Sequence, residues 1–120
     1  TMSTYDEINK AIEAHKMWKE KLRIAVNTGK SESTPERVSM DNNCSFGKWL
    51  YERIDPVEKN SPFYLEVIKV HALFHKEAGK ILELAVNGQK KEARELMVGV
   101  NFSKYTVALI QELKNWQATL

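Results

Sequence analysis

The chain has 120 residues, 42% of them apolar and 28% charged, with a formal net charge of +2. That length suits one domain with a core of its own, and the composition is that of an ordinary globular protein. So small a charge, with lysines interspersed among glutamates, argues against a nucleic-acid patch; no run of about 18 apolar residues is present to span a membrane, and no basic-then-apolar signal pattern is expected.

From about Asp6 to Asn27, the residues Ile8, Ala11, Ile12, His15, Trp18, Leu22, Ala25 and Val26 recur at steps of three and four. Lys, Glu and Arg fill the other face, which predicts a long amphipathic helix. Ser3 or Thr4 is placed to cap it, Asp6 and Glu7 suit the positive end of its dipole, and Gly29 is placed to stop it. The segment Lys30 to Asn43 is polar, aperiodic and contains Pro35, so it reads as a loop with at most a short helical turn.

Cys44 to Ile54 reads as a short helix capped by Asp41, Asn42 or Asn43, with Phe46, Trp49, Leu50 and Ile54 turned inward and Lys48 and Tyr51 outward. Asp55-Pro56 ends it, and a second loop reaches Ser61. Ser61-Pro62 is a helix-start signal. The helix it opens runs to about Asn87 with a stripe of Tyr64, Val67, Ile68, His71, Phe74, His75, Ala78, Leu82 and Ala85. After the Asn87-Gly88 break a third long helix, from about Lys90 to Trp116, carries Ala93, Leu96, Met97, Val100, Val107, Ile110 and Leu113. Gly99 and the stretch to Ser103 are weak helix formers, where a kink is allowed. With no strand-like alternation, the expectation is an all-α fold. It is an antiparallel four-helix-type bundle with three long helices and one short helix carrying the cysteine motif, forming one domain over residues 1–120.

The chain holds one cysteine, Cys44, and three histidines, His15, His71 and His75. A single cysteine cannot form an internal disulfide and points to a reducing compartment, the cytoplasm. Taken singly, such residues are ordinary core groups: a hydrogen-bonded neutral imidazole, or a small hydrophobic thiol. Taken together they point elsewhere. His71 and His75 lie four apart and project from one helix face, His15 is on the inward stripe of its own helix, and Cys44 begins a helix whose dipole favours thiolate. Three buried imidazoles without partners would cost several kcal/mol, roughly 1–3 each, and one metal ion satisfies them all. One thiolate and three imidazoles form a closed tetrahedral set of the kind zinc prefers. Trp18, Phe46 and Trp49 are candidates for a dry shell, and Gly47 for a close helix approach beside the ion. Ala72, not glutamate, follows His71, so the general base of helical zinc hydrolases is missing. Four protein ligands leave no position for water, and an enzyme is not expected.

Three segments carry a resemblance: Ala14-His15-Lys16-Met17-Trp18, the run Cys44-Ser45-Phe46-Gly47-Lys48-Trp49-Leu50-Tyr51, and His71-Ala72-Leu73-Phe74-His75. In order and spacing they are similar to the signature segments of the chemoreceptor zinc-binding (CZB) domain family. The resemblance implies one Zn2+ per chain held by His15, Cys44, His71 and His75, in a helical bundle that often pairs as a homodimer. It further implies a cytoplasmic sensory module acting on a signalling output, a chemoreceptor or a diguanylate cyclase, supplied by a further portion of the chain or by a partner. The signal expected is zinc, an oxidant acting on Cys44, or both. The alternative is a structural zinc in a dimerisation module with no sensing role.

Overall fold

Six α-helices and no strand make up residues 2–120, the part of the chain that the computed structural model describes. They are α1 (Thr4–Thr28), α2 (Pro35–Ser39), α3 (Ser45–Lys48), α4 (Pro62–Val86), α5 (Lys90–Met97) and α6 (Val100–Gln117). A π-helical turn, Trp49–Arg53, continues α3, and a 3-10 turn, Pro56–Asn60, precedes α4.

The helix ends follow the local chemistry. Ser3 Oγ accepts from the Asp6 N–H at 3.1 Å. Gly29 takes φ 71°, a left-handed value that costs a glycine little, and its N–H donates to the Ala25 carbonyl at 2.7 Å. Ser61 Oγ accepts from the Phe63 N–H at 3.2 Å, with Pro62 in the first turn.

The three long helices pack on one another, but not in simple up-and-down order. Trp18 of α1 lies beside His75 of α4, and Gly29 at the end of α1 lies beside Ala85 near the end of α4. These pairs advance together, so α1 and α4 run in the same direction. The connection between them, residues 29–61, returns the chain along the bundle and contains every shorter element of the first half. Helix α6 runs against both, with Phe102 on Phe74, Trp116 on Tyr64, and Gln117 Nε2 donating to Asn9 Oδ1 at 3.2 Å. The mixed direction departs from the expected antiparallel four-helix arrangement. A long crossover permits parallel neighbours where a short loop would not.

The short helical turn allowed for in the loop at 30–43 is present as α2, started by Thr34 Oγ1 accepting from the Arg37 N–H at 3.2 Å, with Pro35 next to it. The third long helix is interrupted at Val98–Gly99, and the interruption changes which face is inward. Val100 and Val107, expected inside, are 81% and 65% exposed, while Phe102, Leu109, Leu113 and Trp116 are buried. The apolar phase of α5 cannot be carried unbroken into α6.

Two glycines allow backbone to approach backbone. A Cβ on Gly47 would stand 1.7 Å from the Asp41 carbonyl oxygen. One on Gly79 would stand 2.6 Å from Ser39 Cβ and 2.9 Å from Ser39 Cα, where α2 crosses α4. A glycine inside a helix costs about 1 kcal/mol relative to alanine, so Gly79 weakens α4 in exchange for that contact.

Candidate metal centre

His15 comes from the inward stripe of α1, between Ala11 and Leu22, and is 2% exposed. Its Nδ1 donates to the Ala11 carbonyl one turn earlier at 2.7 Å, because a carbonyl can only accept. That leaves the lone pair on Nε2. His75, on α4, is arranged alike: Nδ1 donates at 2.9 Å to the carbonyl of Val38 in α2, and Nε2 is free. The two Nε2 atoms face each other at 3.4 Å. Two lone pairs opposed at that distance repel unless a cation lies between them.

His71, one turn before His75, brings its Nε2 to 3.3 Å from Cys44 Sγ. Its Nδ1 is buried without a partner. Cys44 itself is the N-cap of α3 and accepts from the Gly47 N–H at 3.3 Å. Asp41, Asn42 and Asn43 do not cap the helix as expected. Asp41 accepts from the Tyr51 hydroxyl, and Asn43 Nδ2 donates to the Arg37 carbonyl at 3.3 Å. Among the described residues, His15, Cys44, His71 and His75 form a group whose ligand atoms all lie within 4.8 Å of one another.

This donor set fits zinc. Tetrahedral zinc with Zn–N near 2.0 Å and Zn–S near 2.3 Å places ligand atoms about 3.3–3.5 Å apart. The 3.4 Å His15–His75 and 3.3 Å His71–Cys44 separations match those edges. Held by His15, Cys44, His71 and His75, a zinc ion would relieve the lone-pair repulsion and supply the charge that a thiolate needs.

Electrostatics supports the same set. Burial draws the His15 imidazole down to about 4, against a partial lift from the Ala11 carbonyl. It draws His71 down to about 2, with His75 and His15 adding to the effect. His75 is lowered too, again by burial first, with the Val38 carbonyl and Asp41 opposing. All three rings are therefore neutral near pH 7, the form that ligates. Cys44 moves the other way: burial raises its thiol, outweighing the N–H of Gly47. The helix cap alone does not make the thiolate expected from the sequence; a bound divalent cation would.

Aromatic rings close the site. Phe46, 5% exposed, meets His71 edge-on at 5.3 Å and His15 at 6.0 Å. Trp49 stacks on Phe46 at 5.8 Å and lies one layer further out, beside Trp116. Trp18 is half-buried against His75 at 6.3 Å, and Gly47 lets the Asp41 backbone pass under α3. On one side a cleft of about 510 Å³ reaches His15, Cys44 and His75 between α1 and α2, with Lys10, Lys21 and Arg37 among its lining residues. His71 is not among them and forms the back of the site. The Val38 carbonyl is a contributor that the sequence reading missed. Thr34-Pro35 was its available signal, being the same start pattern as Ser61-Pro62.

The chain matches the family profile described as the chemoreceptor zinc-binding domain over residues 15–82, from the first of the four clustered residues to seven beyond the last. That span is more than half of the 120 residues, and the chain belongs to this family. No curated protein matches it, and no solved structure does. The family and the cluster together assign one Zn2+ to each chain. The family is a regulatory, zinc-binding one rather than a catalytic one. Among the described residues, no helix is long and apolar enough to cross a membrane.

Proposed function

We propose that this member of the chemoreceptor zinc-binding family is a cytoplasmic sensory domain of bacterial signalling, built as one unit over residues 1–120. In it, His15, Cys44, His71 and His75 hold the zinc, with Phe46, Gly47, Trp18 and Trp49 as its packing shell. The observation that carries this reading is the convergence of all four ligand atoms to within 4.8 Å from three separate stretches of chain. When bound, zinc supplies the positive charge that holds the thiolate and joins α1, the α3 cap and α4 in one arrangement.

Sensing follows from what the chain must do to keep or lose that arrangement. Cys44 is the one ligand open to two-electron oxidation. Attack of its sulfur on a peroxide or hypochlorous acid forms the sulfenic acid and releases hydroxide or chloride, and a sulfenic acid is a poor ligand. Release of Cys44 frees α3 from α4, and the mixed helix bundle gives an output domain two states to distinguish. That output is a chemoreceptor or a diguanylate cyclase, in cis or in trans, and the domain acts as a homodimer. No catalysis is assigned, because four protein ligands leave no place for a reacting water.

The second reading is a structural zinc in a dimerisation module, favoured by the burial of three of the four ligands. One experiment separates the two. Purified protein is analysed for metal and titrated with hypochlorous acid or hydrogen peroxide. About one zinc per chain, released as Cys44 oxidises, supports the sensor; zinc retained through full oxidant exposure supports the structural role. Protein without zinc refutes both.

A further inference from the structure

We infer that α2 is the positioning arm of the metal centre and that Gly79 is the residue that seats it. The inference rests on the zinc reading above. His71, His75 and Gly79 are spaced four apart, so they line one face of α4. At the third position a Cβ would meet Ser39 Cβ at 2.6 Å, Ser39 Cα at 2.9 Å and Ser39 N at 3.1 Å. Two of those atoms are backbone, so any side chain at 79 displaces α2 itself. The residue before Ser39 is Val38, 5% exposed, whose carbonyl holds the His75 Nδ1–H at 2.9 Å.

The consequence is specific to one ligand. His15 is oriented by a carbonyl of its own helix, one turn away, and keeps that partner wherever α1 goes. His75 borrows its partner from an element of five residues, too short to persist without docking. When α2 lifts from α4, His75 loses the acceptor that keeps the proton on Nδ1, and its Nε2 no longer presents a lone pair reliably. The same arm reaches Cys44, because Asn43 Nδ2 donates to the Arg37 carbonyl at 3.3 Å beside the ligand cysteine. Groups that orient a ligating imidazole govern affinity from outside the ligand set.

Gly79→Ala tests this, read by two observables. The first is the zinc dissociation rate into excess chelator; the second is the 15N shifts of His75 in metal-free protein, which report the tautomer directly. The expected result is zinc release faster by roughly 10-fold or more, with His75 passing from the pure Nδ1–H form to a mixture. Ser39→Gly in the G79A background removes the nearest clashing atom and restores part of both. Thr34→Ala, which strips the α2 cap without touching α4, moves both readouts the same way by less. G79A with wild-type release and wild-type His75 shifts overturns the inference and leaves the zinc reading standing. If G79A does not fold, T34A with unchanged release and shifts overturns it. Wild-type protein that takes up no zinc overturns the zinc reading, and the inference with it.

Discussion

Cys44 Sγ stands 3.3 Å from His71 Nε2 across 27 residues of sequence, and this contact joins the cap of α3 to the face of α4. It makes the sulfur a structural tie as well as a proposed zinc ligand. Cys44→Ala is therefore expected to lower zinc affinity by at least roughly 100-fold, since the charged donor and the closure of the set are lost together. Competition against a chromophoric chelator measures it, and an unchanged affinity would place the metal elsewhere.

The pH dependence of the metal-free protein has a definite sign. His15, His71 and His75 are all held below their ordinary value of 6.5 by burial, so between the two values the unfolded chain binds more protons than the folded one. Folding stability therefore stands at its full value above about 6.5 and falls as the pH drops; the His15 contribution continues to fall to about 4. The net lowering of His15 to about 4 corresponds to a loss on the order of 3 kcal/mol across that window. Urea unfolding with chelator present, from pH 8 to 4, would contradict this if the midpoint did not move.

Gly47 and the Asp41 carbonyl leave no room for a methyl group, with only 1.7 Å between that oxygen and a would-be Cβ. Gly47→Ala is expected to destabilise the chain by about 2–3 kcal/mol, the upper range for overpacking, because the obstacle is backbone. The same change displaces the turn that leads into Cys44 and weakens zinc binding. Denaturant midpoints of the two proteins, with and without zinc, give both effects.

The register of α6 is testable by a pair of truncations. Leu109 is fully buried, and Leu109→Ala should cost about 2–5 kcal/mol. Val107 is 65% exposed, and Val107→Ala should change stability by less than about 0.5 kcal/mol. The reverse order would restore the continuous helix expected from the sequence.

That expectation shows where sequence reasoning succeeds and where it stops. The stripes of α1 and α4 are long, uninterrupted and strongly capped, so Ile8 through Val26 and Tyr64 through Ala85 can be read from spacing alone, histidines included. The four clustered residues were accessible because the chain offers one cysteine and three histidines, two of them a helical turn apart. In the C-terminal third, one weak break at Gly99 resets the helical phase, and a stripe read across it assigns Val100 and Val107 to the wrong side. The direction of α1 against α4 is a tertiary fact that no local period encodes. It depends on how residues 29–61 pack, and especially on α2, five residues that dock through the buried Val38 side chain, the close approach at Gly79 and the Val38 carbonyl.

X-ray absorption at the zinc edge, on protein loaded with the metal and assayed for stoichiometry, bears most directly on the four-residue site. One zinc per chain is expected, with one sulfur near 2.3 Å and three nitrogens at about 2.0 Å, and the sulfur shell lost in Cys44→Ala. A zinc with no sulfur neighbour, or with two from paired chains, would contradict the closed site of His15, Cys44, His71 and His75.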